Sequence, residues 1–385
     1  MPEAYKAVTM EDKLLLIPGP TNLSKRVRDV MAGPQLPHVG AEFYETFKET
    51  IQLARYVFKN EKGIQFVFTG SGTIGMESSV VSLTSHGEKT LTVNTGYFGK
   101  RMILLNKLHR TTAESVDYED GSHADPDDLR KRLHKSKYKV VFMTHVDTST
   151  GIVNPIRELV AECQKAGVIS VVDSVCGIGG EELDFDRLGA DVVFTASQKA
   201  IAAPPGAVLL AVSNRAMEYM DKRKDSIEAY YMSLPRWKPV MDDPKMYLAT
   251  PATQILLALR EALREVKQEG LEARWARHRK LGETTRNTLE GLGVDILADE
   301  GFRADTITAF WVQDGMAGGI QHTLDDKYNI MVSRGLYEAK DKVIRIGHFG
   351  ILTVDKLKHA LTLLESVMEE MGATGKKSVQ LAKRK

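Results

Sequence analysis

Six short apolar segments, separated by longer amphipathic ones, constrain the fold of this chain most strongly. They are IQFVF (64–68), KTLTVN (89–94), KVVFMTHV (139–146), VISVVDS (168–174), DVVFTA (191–196) and AVLLAVS (207–213). Most are apolar on both faces, which is typical of parallel strands covered by helices on both sides. Between them, DPDDLRKRLHK and PIRELVAECQKAG begin with the Asp or Pro that starts helices. We therefore predict an α/β fold with a large, mainly parallel sheet.

The pattern changes after residue 267. A charged helical stretch leads into the strand-like segments TITAFWV, YNIMVS and KVIRIGHFG, and the helical segment TVDKLKHALTLLESVMEEMG follows. This order predicts a smaller C-terminal α+β domain. We accordingly divide the chain into an N-terminal arm (1–20), a large domain (21–267) and a small domain (268–385).

Overall charge and composition exclude several classes of protein. The 385 residues carry a formal net charge of +1, which does not favour nucleic acid or a membrane surface as a partner. No apolar run reaches the ~18–20 residues of a membrane span, and MPEAYKAVTMEDK lacks a signal-peptide core. Two cysteines, Cys163 and Cys176, make neither a disulfide framework nor a zinc site. We expect a cytoplasmic protein whose basic end, GKKSVQLAKRK, is a solvated tail.

A glycine-rich loop, FTGSGTIGMES (68–78), lies between a predicted strand and a predicted helix. Its G-x-G-x-x-G spacing fits a dinucleotide fingerprint, which also requires an acid about twenty residues further on. The next strand instead ends in Asn94 and Thr95. The hydroxyls of Thr69, Ser71 and Thr73 suit a phosphate monoester at a helix N-terminus. A strand-to-helix turn that binds no ligand is the alternative.

Two further residues follow apolar strands. Asp173 ends VISVVD, at the edge where open α/β sheets bind ligands, and it is either a turn former or a functional buried carboxylate. Lys199 lies between two predicted core strands, where an unpaired ammonium is expensive, although most lysines are solvated surface residues. Burial lowers a lysine pKa and makes the amine nucleophilic. A phosphate loop, a buried carboxylate and a buried lysine together predict a pyridoxal 5'-phosphate site.

The order of these motifs resembles that of class V (fold-type I) pyridoxal-phosphate aminotransferases, specifically the alanine–glyoxylate and serine–pyruvate group. The resemblance covers nearly the full chain, and SQK-x4-PPG is its most specific part. The shared segments are LLLIPGPTNLS, FTGSGTIGMES, HVDTSTGIVNP, VVDSVCGIGG, ASQKAIAAPPG, the TP turn before LREAL, and KVIRIGHFG. The resemblance implies a homodimer with its active site at the subunit interface.

The resemblance also implies roles for individual cofactor-binding residues. Lys199 would bind the cofactor and carry the proton during catalysis, and Asp173 would pair with the pyridine nitrogen. Val175 and Phe98 would lie against the two ring faces, and Thr148 would hydrogen-bond the ring hydroxyl. The implied phosphate contacts are Gly72, Thr73 and Gln198 from one subunit, and Tyr247 and Thr250 from the other. The group often carries Trp at the position of Phe98 and His at that of Thr73.

Substrate recognition is implied at two places. Arg345 would bind the substrate carboxylate, and the PGPTN segment around Gly19 would approach the substrate through its backbone. From the residues alone, an outward-facing side chain on an alternating strand is the favoured interpretation of Arg345. Arg334 is either a surface charge or a partner for an acidic or phosphonate substrate.

These expectations predict ping-pong transfer of an amino group from serine or alanine to pyruvate or glyoxylate. The alternative inside the family is 2-aminoethylphosphonate–pyruvate transamination. A cysteine desulfurase needs a nucleophilic cysteine late in the chain, and neither cysteine is placed for that. A nicotinamide dehydrogenase would need a ribose-binding acid at the end of the next strand, and this sequence has none there. A catalytically inactive structural subunit is disfavoured because every cofactor-contact position carries a competent residue.

Overall fold

The computed structural model describes residues 13–374, which form a large and a small β-sheet with helices packed around them. The tail 375–385 and most of the predicted arm lie outside the described residues. The strands are β1 Leu14–Leu16, β2 Ile64–Thr69, β3 Lys89–Asn94, β4 Thr112–Asp117, β5 Val140–Thr144, β6 Val146–Asp147, β7 Ile152–Val153, β8 Ile169–Asp173, β9 Val192–Ala196, β10 Ala207–Val212, β11 Ile307–Trp311, β12 Ile330–Arg334 and β13 Val343–Gly347.

The helices alternate with these strands along the chain, as the amphipathic segments predict. They are α1 Lys25–Met31, α2 Ala41–Phe58, α3 Gly72–Leu83, α4 Tyr97–Leu108, α5 Pro126–Lys135, α6 Ile156–Lys165, α7 Phe185–Leu188, α8 Asn214–Asp221, α9 Leu234–Asp242, α10 Thr253–Glu269, α11 Leu271–Gly291, α12 Met316–Tyr328 and α13 Val354–Glu370, with a 3₁₀ turn at Tyr337–Ala339. The charged stretch before the small sheet is divided into α10 and α11 at Gly270, whose φ of +82° breaks the helix.

The large sheet has seven strands in the order β2-β10-β9-β8-β5-β3-β4. β10 runs antiparallel to both of its neighbours, and the other pairs are parallel. All six predicted apolar segments contribute strands to this sheet, so the mainly parallel α/β fold is confirmed. Strand β4 was not predicted because it is an edge strand, TAESVD, with no buried residue and no apolar pattern.

Helices cover the large sheet and bury its apolar strands. α3 packs against β9 and β10, α4 against β3, and α6 against β8. The start of α5 follows its sequence signal, since the side chain of Asp125 accepts a hydrogen bond from the N–H of Asp127. The resulting core extends from Val27 to Trp275.

The small sheet has four strands in the order β1-β12-β13-β11. β1, from the predicted arm, pairs in parallel with β12, and the other two pairs are antiparallel. A second core lies between this sheet and helices α11, α12 and α13. The division of the chain at residue 268 stays a prediction. No helix between residues 13 and 374 has both the length and the apolar character of a membrane-spanning segment.

Candidate active site

The strand order brings three separate sequence motifs to one edge of the large sheet. β8 and β9 are parallel neighbours, and β2 points the same way because β10 is antiparallel to both β2 and β9. The carboxyl ends of the three strands therefore meet. Asp173 ends β8, Lys199 lies three residues beyond β9, and the glycine loop follows β2.

A cleft opens at this edge, and eight of the predicted site residues line it. These eight are Gly72, Thr73, Phe98, Thr148, Asp173, Val175, Gln198 and Lys199. Ser71, whose hydroxyl was predicted to suit a phosphate, also lines the cleft, and the lining is completed by Met76, Arg101, Val146 and Cys176, which were not predicted as site residues. Among residues 13–374, no cluster of three His, Cys, Asp or Glu side chains is arranged to hold a metal ion.

Asp173 is a buried carboxyl group at the base of the cleft. It is 4% exposed, and its Oδ1 accepts a hydrogen bond of 3.0 Å from the N–H of Val175. Burial is the main cause that raises the pKa of Asp173 to about 7, and the nearby Asp147 adds to the rise. A cationic partner would stabilise the ionised form of this buried carboxyl group, since the ion pair offsets the cost of burying the charge.

Lys199 is held beside the PGP turn. Its Nζ donates a hydrogen bond to the carbonyl oxygen of Pro18. Gly19 has a φ of +93°, and a Cβ atom there would lie 2.7 Å from Cδ of Lys199. Glycine is therefore required at this position both by the backbone and by the close approach of the lysine.

The N-terminus of α3 forms one end of the cleft. Ser71 is its N-cap but makes no side-chain capping bond, and the first N–H groups of a helix have no acceptor within the helix. A Cβ atom on Gly72 would lie 3.1 Å from Cβ of Ala196, so this helix start packs closely against the end of β9. The buried Oε1 of Gln198 has no hydrogen-bond partner among residues 13–374. These unpaired groups are available to a bound molecule.

Asp147 fixes the position of Phe98 and of the loop that carries Thr148. Its buried carboxylate accepts hydrogen bonds from the N–H of Phe98 (3.3 Å) and from the N–H of Ser149 (2.8 Å). Burial raises the pKa of Asp147. Asp147 was not predicted as a site residue, since an Asp in a turn gives no sequence signal that its carboxylate faces inward.

Arg345 reaches the same region from the small sheet. It lies within β13 and is 8% exposed; its Nε donates to the carbonyl oxygen of Arg334 (2.8 Å) and its Nη1 to that of Thr148 (3.0 Å). No carboxylate between residues 13 and 374 is within ion-pair distance of its guanidinium, whereas Arg334 pairs with Asp341 at 3.0 Å. Of the two arginines, Arg345 is thus the one whose charge is available to a ligand.

Tyr247 and Thr250 are not part of the cleft. They hydrogen-bond to each other at 2.9 Å, and Tyr247 is 65% exposed. Their hydroxyl groups lie on a surface segment between α9 and α10. If either hydroxyl group contacts an active site, that site must therefore belong to a second molecule.

Residues 23–352 match the family model for class V aminotransferases. The chain belongs to this family. An uncharacterized aminotransferase of Methanocaldococcus jannaschii is 34% identical to it, with 96% of this chain and 97% of that protein aligned. Alanine–glyoxylate aminotransferase 1 of Saccharomyces cerevisiae is 31% identical over 92% of this chain and 97% of that protein.

A solved structure agrees with these relatives. Alanine–glyoxylate aminotransferase from Nostoc sp. superimposes with a TM-score of 0.90 at 28% identity, covering 94% of this chain and 97% of that one. The predicted fold-type I architecture is therefore confirmed, and the chain is an aminotransferase. The cleft described above is the candidate active site of this class V aminotransferase.

Proposed function

We propose that this aminotransferase uses pyridoxal 5'-phosphate to move an amino group from serine or alanine to pyruvate or glyoxylate. The observation that carries the proposal is the meeting of Asp173, Lys199 and the α3 N-terminus in one cleft. The residues fit the cofactor, because the first N–H groups of α3 can donate to a phosphate and Asp173 is a buried carboxyl group in need of a cation.

Each residue has a defined task in this proposal. When bound, the cofactor withdraws electrons from the substrate α-carbon. The carboxylate of Asp173 would hold the proton on the ring nitrogen. The amine of Lys199 would hold the cofactor covalently and, once the amino substrate has displaced it, would carry the α-proton. Phe98 and Val175 would hold the ring from its two faces, and Thr148 would hydrogen-bond the ring hydroxyl.

The proposed substrates are inferred from which arginine side chain near the cleft is free to bind an anionic group. A planar guanidinium binds a carboxylate through two parallel hydrogen bonds, and Arg345 can do so because no acid of residues 13–374 forms an ion pair with it. Arg334 is paired with Asp341, so it does not favour an acidic or phosphonate substrate. The alanine–glyoxylate specificity of the named relatives favours the same assignment over 2-aminoethylphosphonate–pyruvate transamination.

The proposal includes a homodimer in the cytoplasm. Tyr247 and Thr250 would reach the phosphate of the second subunit, which explains why they lie outside the cleft of their own chain. Tyr247 also belongs to an exposed apolar patch with Val39 and Met246, which line the same surface pocket; the exposed fractions of Val39, Met246 and Tyr247 are 58%, 53% and 65%. A patch of this kind is typical of a protein–protein interface.

Half-reaction spectra test the proposal. Wild-type protein loaded with pyridoxal phosphate should show a visible absorption band, and alanine or serine should convert it to that of pyridoxamine phosphate. Lys199→Ala should lose the band, whereas Lys222→Ala, an exposed lysine paired with Glu218, should keep it. A wild-type protein that binds no pyridoxal phosphate, or that converts only acidic amino acids, would refute the proposal.

A further inference from the structure

Arg101 is a cation in the active-site cleft to which neither the motifs nor the proposed mechanism assigns a task. It lies on α4, three residues after Phe98, so both side chains project from the same face of the helix. Its Nη1 is 3.4 Å from Oγ1 of Thr73, and its Nη2 donates a hydrogen bond of 3.1 Å to the hydroxyl of Tyr97. Its guanidinium lies 4.9 Å from the ring centres of Tyr97 and of Phe98.

The guanidinium of Arg101 has no ion-pair partner within the described chain, although its charge acts at longer range on Asp173, where it opposes the rise in pKa that burial causes. Its polar partners are two neutral hydroxyls, and no carboxylate of residues 13–374 forms an ion pair with it. The side chain is nevertheless partly buried and lines the cleft. Withdrawing a guanidinium from water without a counter-ion is unfavourable, so its position fits an anion bound in the cleft.

The position of the guanidinium indicates which anionic group would bind to Arg101. Arg101 contacts Thr73, the second residue of α3, and therefore stands at the helix N-terminus that receives the phosphate in the proposed function. The other groups at this end, Gly72, Thr73 and Gln198, are all neutral, whereas a phosphate monoester carries about −1.5 to −2 charges at neutral pH.

We propose that Arg101 donates hydrogen bonds to the cofactor phosphate and supplies the positive charge that the glycine loop lacks. This inference rests on the proposed function. The stacking of the guanidinium on Phe98 would then tie the ring-holding and phosphate-holding parts of the site together. With Arg101 engaged by the phosphate, Arg345 remains as the cation for the substrate, which is consistent with a small neutral side chain on the amino donor.

Comparing pyridoxal phosphate with pyridoxal isolates the contribution of the phosphate. Cofactor-free wild type, Arg101→Met and Arg101→Lys are titrated with each compound, and the dissociation constants are read from the absorption of the bound chromophore. We expect Arg101→Met to weaken pyridoxal phosphate binding by about 10- to 100-fold, the value of a hydrogen bond to a charged group, and to change pyridoxal binding less than about 2-fold. Arg101→Lys should recover part of the loss.

Lys100→Met is the matched control. Lys100 is the neighbouring residue of α4, is exposed, and lies 3.9 Å from Asp120, so its loss should leave both dissociation constants unchanged. Equal weakening of both ligands by Arg101→Met would overturn the inference, since it would mean that Arg101 acts only by packing on Phe98 and Tyr97. The inference would also be overturned if Arg101→Met kept the wild-type ratio of the dissociation constants for pyridoxal and pyridoxal phosphate while its KM for aspartate or glutamate rose. Arg101 would then bind the substrate and not the phosphate. If wild type bound neither ligand, the proposed function itself would be refuted. Failure of the proposed function is therefore distinguishable from failure of the Arg101 inference, in which wild type still binds pyridoxal phosphate.

Discussion

Replacing the buried carboxyl group of Asp173 should stabilise the cofactor-free protein against unfolding. The same replacement should abolish the activity of the enzyme loaded with pyridoxal phosphate. In Asp173→Asn the amide oxygen can still accept the hydrogen bond from Val175, and the volume of the side chain is nearly unchanged. What the substitution removes is the ability to ionise. The folded state of the wild type has to bury a charge at high pH, whereas the variant does not.

The magnitude follows from the pKa of Asp173. Burial raises it from 3.8 to about 7, and at 1.36 kcal/mol per pKa unit this difference costs the folded state about 4 kcal/mol once the group is ionised. Because the folded-state pKa is the higher one, the cost is absent below pH 4, grows as the pH rises from 4 to 7, and is constant above 7. The variant therefore gains little at pH 4.5 and most at pH 8.

Thermal unfolding of the cofactor-free proteins at pH 4.5 and pH 8 measures this difference. Unfolding entropy near 2.1 cal/mol/K per residue is about 0.8 kcal/mol/K for 385 residues, so 4 kcal/mol corresponds to about 5 °C in Tm. Asp221→Asn, at an exposed position, controls for the general effect of removing an acid and should shift Tm at neither pH. An Asp173→Asn variant with no gain at pH 8, or with an equal gain at pH 4.5, would refute the reasoning.

Three further predictions concern the substrate, the lysine and the subunit interface. Arg345→Gln should lower kcat/KM for alanine by about 100-fold and Arg345→Lys by about 10-fold, because the lysine keeps the charge but loses the paired hydrogen bonds; an unchanged KM in Arg345→Gln would contradict the role. Gly19→Ala should cost about 1–3 kcal/mol and reduce covalent loading at Lys199, since its Cβ would collide with that side chain; calorimetry and the visible band measure the two effects, and full loading would contradict the prediction. Met246→Asp should raise the dimer dissociation constant by at least about 10-fold in sedimentation experiments, whereas Leu108→Asp, exposed outside the patch, should not.

Several elements were predictable because their signals are local. The apolar segments became strands since residues apolar on both faces need cover on both sides, and α5 begins where Asp125 and Pro126 indicate. Asp173 and Lys199 could be singled out because each follows a buried strand. The glycine loop indicated a phosphate site through its own hydroxyls and its position before a helix.

Other features gave no local signal. β4 is a polar edge strand that pairs only because β3 provides a partner in register. Asp147 looks like an ordinary turn residue, and only the folded chain turns its carboxylate toward the N–H of Phe98. Arg101 is one of 52 basic residues, and nothing in its neighbours along the chain says that it faces Thr73, twenty-eight positions away.

By itself, the sequence determined the fold class, because the apolar segments are local patterns, and the order of its motifs along the chain indicated the aminotransferase family. It also predicted Asp173 and Lys199 as site residues from the buried strands that precede them. The tertiary structure decided which charges are left without a partner. Arg334 is neutralised by Asp341, whereas within residues 13–374 the hydrogen bonds of Arg345 and Arg101 go only to carbonyl and hydroxyl groups. Pairing depends on distances between segments far apart in the chain, and these distances exist only once the sheets have formed.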